Sequence, residues 1–275
     1  MMIRTCVMTS LLVLAVAGPL ALYDALRPTV EPRTFETVAS RLDDFGPRAR
    51  ARLSAPFARA GVPYPPPRMR LAAFKREARL DLFAGAGEDL RFIKSYALIA
   101  GPQPARDATL GPKRAEGDRR VPEGLYRLDY LNPNSVEHVS IKIGYPNRFD
   151  RARAAEAGRD PATLGDDIML HGGAPLGTEG CLALTDAEME ELFTLVADAR
   201  AEAEADGRRL DADILIAPAD FRFSPLDHAA IERATRAGDL PRWAPLLYAE
   251  IDRSLADLPG GDRRGRNLRT LLAAD

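Results

Sequence analysis

Asp166–Asp186 reads DDIMLHGGAPLGTEGCLALTD. Ile168, Met169 and Leu170 have the composition of a short buried strand, and they deliver His171 straight into a glycine-rich turn. The turn passes through Gly172, Gly173, Pro175, Gly177 and Gly180 and presents Cys181 just ahead of a helix start. Glycines let backbone run close to a substrate and supply the positive-φ positions of tight turns. A cysteine and a histidine folded onto each other by such a turn are the parts of a thiolate nucleophile and its base.

Working outward, the composition is that of an ordinary globular chain, with 46% hydrophobic and 28% charged residues over 275 positions. A net charge of -2 gives no nucleic-acid footprint. The N-terminus stands apart. Arg4 precedes an uncharged run from Thr5 to Tyr23, the layout of an export signal. Ala15-Val16-Ala17 supplies a small-residue cleavage site, while Leu20, Ala21 and Leu22 stretch the run towards the length of a span. A cleaved signal peptide and a retained single membrane anchor both fit residues 1–23. Each puts the remainder outside the inner membrane, in the periplasm. Of the two cysteines, Cys6 falls inside this run, so the exported body carries Cys181 with no disulfide partner. An unpaired thiol in an oxidising compartment points to a reactive residue, against the alternative of a small buried hydrophobe.

The order His171-Gly172, glycine loop, Thr178-Glu179-Gly180-Cys181 resembles the active-site motif of the L,D-transpeptidases, the YkuD-domain family. Gly111-Pro112-Lys113, Asn132-Pro133-Asn134-Ser135, Gly144-Tyr145-Pro146-Asn147 and Leu184-Thr185-Asp186 are similar to the YafK-like branch, over roughly residues 65 to 250. The resemblance implies a mainly β fold with α, a mixed β-sandwich or barrel flanked by N- and C-terminal helices. It implies a cysteine acyl-enzyme working on peptidoglycan stem peptides at a diaminopimelate-linked bond. The outcome is crosslinking as an L,D-transpeptidase, or hydrolysis as an amidase that frees a wall-linked outer-membrane lipoprotein. Cys181 becomes the nucleophile, His171 the base that lowers its pKa, and Gly172 the carbonyl that orients the ring. Gly173, Thr178, Glu179 and Gly180 line the substrate, with amides near Gly180 and Cys181 as oxyanion hole. Glu179 and Ala183 depart from the wider family, which often has His and then Arg or Asn there. That keeps open a catalytically inactive peptidoglycan-binding module of the same fold.

The remaining text arranges itself around this stretch. Residues 28–67 read as a helical lead-in with apolar spacing at Phe35, Val38, Leu42 and Phe45, punctuated at Gly46-Pro47 and closed by Pro65, Pro66 and Pro67. Residues 68–220 form the catalytic domain. Its strands are expected at Met69–Ala73, Leu80–Phe83, Leu90–Ile99, Leu125–Leu128, Val139–Ile143 and Asp213–Ala217. Asp150–Ala157 is a short helix or a loop excursion. Thr185 and Glu188 form a capping box for a helix whose stripe is Met189, Leu192, Phe193, Val196 and Ala197. Residues 221–258 supply two covering helices, and 259–275 a loose tail.

No cofactor is called for. A zinc site from His138, His171 and Cys181 matches no ligand spacing, and His138 and His228 read as structural or surface residues. The basic cluster Lys113, Arg114, Arg119 and Arg120 suits either a peptide carboxylate or a solvated loop.

Overall fold

The computed structural model describes residues 35–101, 111–173 and 177–260. The apolar N-terminal run with its cleavage and anchor readings, and residues 261–275 of the tail, lie outside that set. From Glu36 onward the described residues belong to one compact unit. No helix among them is long and apolar enough to cross a membrane.

Helix α1, Val38–Ala60, is opened by a capping box in which Thr37 and Ser40 serve each other's amides, and it ends on Gly61 at φ 63. The expected punctuation at Gly46-Pro47 does not occur, because the helix runs through both Pro47 and Pro56. Proline removes one helical hydrogen bond and crowds the carbonyl four residues back. Here Asp43 and Pro47 both face solvent, where that carbonyl can be hydrated, while Phe45, Ala49, Leu53 and Phe57 bury one stripe. Tertiary packing therefore overrides the local break.

The sheet has nine described strands. They are β1 Arg68–Phe74, β2 Arg79–Ala86, β3 Asp89–Ala97, β4 Ile99–Ala100, β5 Gly124–Asn132, β6 Ser140–Ile143, β7 Met169–His171, β8 Leu182–Ala183 and β9 Asp211–Ala217. Their spatial order is β3-β2-β1-β9-β5-β6-β7-β8-β4, with β1/β9 and β7/β8 parallel and the other pairs antiparallel. The single strand expected over Leu90–Ile99 is in fact two. The break falls at Leu98, whose amide turns to the carbonyl of Ala78. Because β3 and β4 are adjacent in sequence yet sit at opposite ends of the order, the sheet must curl round on itself. A mainly β fold with α is thus the observed class.

Both faces of the sheet are covered. Met69, Leu71, Ala73, Leu82, Ile214 and Ile216 point to one core, together with α1 and the stripe of helix α3, Asp186–Ala205. Ala72, Phe74, Phe83, Leu215 and Ala217 point to the other, against Leu247, Tyr248, Ile251 and Leu255 of helix α5, Ala244–Ala256. Alternation of side chains along each strand is what serves two cores at once. Helix α1 lies along α3, held by Arg50 on Asp198 (2.8 Å) and by Arg52 on Glu190 and Glu191 (3.0 and 2.9 Å). Asp150–Ala157 resolves as helix α2, Arg148–Glu156, capped by Asn147, and helix α4 spans His228–Ala237.

One fully buried ion pair ties the fold to its longest irregular segment. Lys75 Nζ bonds Glu123 Oε1 at 2.8 Å, both side chains having no exposure, and also donates to the carbonyls of Gly111 and Val121 at 3.2 and 3.3 Å. The two ends of segment 111–121 are therefore clamped by one ammonium. Burial pulls the Lys75 pKa down, and Glu123 opposes that pull. Lys75→Met leaves Glu123 unpaired in the interior and is expected to cost about 3–5 kcal/mol in urea unfolding. The double change Lys75→Met with Glu123→Leu should recover most of it. A single mutant as stable as the wild type would refute the clamp.

Candidate active site

The site forms where β7 and β8 run side by side. Their parallel register pairs Leu170 with Leu182 and His171 with Ala183, which brings Cys181 level with Met169. The amide of Met169 donates to Cys181 Sγ at 3.4 Å, and the thiol donates to the carbonyl of Asp167 at 3.6 Å. His171 and Cys181 line one cavity of about 450 Å³. Its other walls are the β5–β6 connection, from Asn132 to Glu137, with Ser140, Asp167 and the turn Gly177–Glu179.

His171 is buried, and its Nδ1 lies 2.7 Å from the carbonyl oxygen of Gly172. A carbonyl only accepts, so Nδ1 carries the proton and the lone pair of the neutral ring sits on Nε2. The ring is thus in the tautomer a general base needs.

The thiol itself departs from expectation. The adjacent base was expected to depress its pKa, but burial pushes Cys181 above the ordinary thiol range, with the carboxylate of Asp167 adding to the rise. The Met169 amide and the ammonium of Lys142 oppose it only in part. The bond from Sγ to the Asp167 carbonyl is one that only a protonated sulfur can donate.

The glycine loop is held from both ends. Gly173, at φ 84, donates its amide to Asp186 Oδ1 at 2.6 Å, so the first residue of α3 fastens the histidine end. Thr178 fastens the cysteine end. Its amide donates to the carbonyl of Gly101 at 2.9 Å and its hydroxyl to that of Cys181 at 2.6 Å, while the Gly101 amide donates to the hydroxyl. Thr178 is buried in this role and also lines the cavity. The Gly180 amide also donates to Thr178 Oγ1, at 3.4 Å. Gly180 itself, at φ 120, passes so close to Arg120 that a Cβ would lie 2.8 Å from the Arg120 carbonyl oxygen. Only glycine fits there. Ala174, Pro175 and Leu176 lie outside the described residues.

Glu179 lines the cavity but is exposed, with Arg119 Nε 2.6 Å from its carboxylate. The basic cluster does not converge on one site. Lys113 is buried on Asp118 at 3.0 Å, and Asp118 also receives the amides of Arg114, Ala115 and Arg120. His138 lies against Phe45 and beside Glu190, and His228 begins α4. Among the described residues no group of acidic, His or Cys side chains is placed to hold a metal.

Sequence reasoning passed over Ser140, Glu137, Asp167 and Asp186. Ser140 pairs with His171 across β6 and β7, is buried, and its Oγ has no hydrogen-bond partner among the described residues. Nothing local could flag it, because the pairing joins residues 31 apart, 171 less 140. Asp186 carried a signal as an acidic first-turn residue, but only for the helix.

Residues 85–207 match the YkuD family model, the L,D-transpeptidase catalytic domain. This segment is a YkuD-family domain. It contains His171, the glycine loop, Cys181 and all of α3. The chain is 34% identical over 128 residues to YafK of Escherichia coli strain K12, covering 46% of each protein, and to YafK of strain O157:H7 in the same measure. The chain therefore spans about half the length of the curated relatives it matches. Solved structures that are similar include Bd1075 of Bdellovibrio bacteriovorus (23% identity, TM-score 0.37, 55% of this chain and 48% of that one). Another is the helical cell shape determining protein Pgp2 of Campylobacter jejuni (22% identity, TM-score 0.42, 55% and 48%).

Two outcomes follow for the YkuD domain. Iodoacetamide alkylation of Cys181 should rise with pH to a midpoint above that of a free peptide cysteine; a plateau reached below about pH 8 would mean a resting thiolate. Ser140→Ala removes a hydroxyl that bonds nothing, so its unfolding free energy should fall within about 1 kcal/mol of the wild type or exceed it. A loss of about 2 kcal/mol or more would reveal a partner for Oγ.

Proposed function

We propose that this chain is an exported cysteine acyltransferase acting on peptidoglycan stem peptides at a diaminopimelate-linked bond. The observation that carries the reading is the meeting of Cys181 with His171 in one cavity, the ring fixed by the Gly172 carbonyl with Nε2 left for the thiol proton. Similarity of residues 85–207 to the L,D-transpeptidase catalytic domain supplies the substrate class.

On this reading the thiol gives up its proton as it attacks, since burial works against a free-standing thiolate at Cys181. His171 Nε2 takes the Sγ proton as sulfur adds to the substrate carbonyl, and the negative charge moves to the carbonyl oxygen. The Cys181 amide is the donor left for that oxyanion, with the Gly180 amide engaged by Thr178. As the tetrahedral centre collapses, the imidazolium gives its proton to the departing amine, leaving an acyl thioester and a neutral ring. A second nucleophile then attacks, yields its proton to His171, and the thiol is restored. An amine gives a crosslink, whereas water gives hydrolysis, including release of a wall-linked lipoprotein where that is the donor. Export by the N-terminal segment, cleaved or retained as an anchor, belongs to the same proposal.

The competing reading of an inactive wall-binding module predicts no covalent intermediate. Purified protein with a tetrapeptide muropeptide should show a mass increment on Cys181 and new products by mass spectrometry. Cys181→Ala should lose both, by about a thousandfold or more in rate, while melting as the wild type does. An excess of diaminopimelate-bearing acceptor in one arm, and a lysine-capped wall fragment in another, separates crosslinking from hydrolysis. Absence of product in every arm, with folded protein, would sink the acyltransferase reading.

A further inference from the structure

Outside the active site, the largest of the described cavities, about 800 Å³, opens between α2, the segment following it and the start of α5. Its ionisable lining is lopsided. Arg114, Arg153, Arg159 and Arg242 face it, with Glu156 the one carboxylate. Glu156 is taken by Arg153. Arg159 donates to the backbone carbonyl of Arg114, and Arg114 to that of Asp239 at 3.4 Å, so neither has a carboxylate partner among the described residues. Burial and the like charges of Arg120 and Arg159 act against the Arg114 guanidinium and outweigh the opposing carboxylate of Asp118. Fixed guanidinium groups crowded together with neutral partners leave an electrostatic demand that an anion would meet.

The rest of the cavity is apolar. Trp243 meets Phe149 edge-on at 5.6 Å, and Arg153 lies over the other ring position of that stack, 5.3 Å from the Phe149 centroid. Leu246 is 57% exposed beside them. An inorganic anion or a polyphosphate would leave this wall unused. A peptide that alternates carboxylates with methyl and methylene groups would use both halves.

We propose that this groove is a second binding site, taking an acidic peptide through the guanidinium groups of Arg114, Arg159 and Arg242 and its aliphatic parts against Trp243 and Leu246. The identity of that peptide as a carboxylate-bearing wall stem rests on the functional reading above; the existence of an acidic-peptide site does not. The segment that carries Arg114 also carries Arg119, whose guanidinium holds Glu179 at the mouth of the catalytic cavity. One short stretch of chain therefore borders both sites. A second stem held in the groove would keep a multivalent polymer near Cys181 through effective concentration.

Trp243 is the one tryptophan in the sequence, so intrinsic fluorescence reports the groove directly. The full-length Cys181→Ala protein would be titrated with the tetrapeptide L-Ala-γ-D-Glu-diaminopimelate-D-Ala, with the same peptide bearing amidated carboxylates, with inorganic phosphate and with anionic lipid vesicles. Expected is a saturable change with the free acid alone, weakened by salt. Arg242→Glu should weaken it at least about tenfold while leaving Cys181 alkylation in the otherwise wild-type protein unchanged. Arg242 has no side-chain partner among the described residues to lose, so this variant should fold. No saturable change with the tetrapeptide, an equal response to the amidated form, or a response to phosphate or vesicles in place of peptide would each overturn the proposal. Muropeptide turnover by the wild type, measured separately, keeps the two readings apart. Turnover with a silent Trp243 removes the groove alone, whereas a responding Trp243 without turnover removes the acyltransferase alone.

Discussion

The site depends on one topological constraint, the parallel pairing of β7 with β8. Antiparallel neighbours can be joined by a tight turn, but a parallel pair requires the chain to travel back along the first strand before starting the second. Here the return is made by a short glycine-rich connection. The cost of so brief a crossover is a backbone that must squeeze past its neighbours, as Gly180 does against Arg120 and Gly172 against Glu137 and Asp186. The benefit is registry. With Leu170 opposite Leu182, the residue just before β8 must lie level with Met169, and that residue is the cysteine. Cys181 and His171 reach one cavity because two strands of two and three residues run the same way.

Holding that return in place is the work of segment 111–121. Lys75 clamps its ends from inside the core, and Asp118 gathers three amides and the Lys113 ammonium to fix its middle. Burial works against the Asp118 carboxylate, but these donors win, and its pKa is held below the usual carboxylate value. The segment then presents the Arg120 carbonyl to Gly180 and the Arg119 guanidinium to Glu179. The charge cluster, which in the sequence suits either a peptide carboxylate or a solvated loop, commits Lys113 to Asp118 and Arg119 to Glu179.

How much of this the sequence displayed can be argued from particular residues. Thr185 and Glu188 form the capping box their spacing implied, and Met189, Leu192, Phe193 and Val196 fill the core as their stripe required. These are local signals, and local signals survive. The spacing of Met69, Leu71 and Ala73 gave one buried face of β1 but hid the second, because Ala72 and Phe74 are packed by α5, a helix far along the chain. Pro47 suggested a break that packing against α3 overrules. His171 and Cys181 stood out as chemistry, and their shared cavity follows from pairing that sequence spacing alone could not fix. The state of the thiol was not legible, since desolvation depends on what surrounds the sulfur rather than on which base stands nearby.

The two departures from the resembled motif take on a physical meaning in this setting. Ala183 is fully buried, paired with Ile99 on one side and His171 on the other. Side chains stand off the sheet faces, so a longer polar side chain there would be forced into a position that is already fully buried. Glu179 stands exposed with its charge answered by Arg119. Neither position supplies a polar group that the centre depends on. The groups that do are backbone: the Gly172 carbonyl on His171, the Asp167 carbonyl and Met169 amide on the thiol, and the Gly173 amide on Asp186. A centre assembled from main-chain atoms needs close approach and exact turns more than it needs particular side chains. It is therefore written in glycines, with the Thr178 hydroxyl and the Asp186 carboxylate fastening the two ends of the loop.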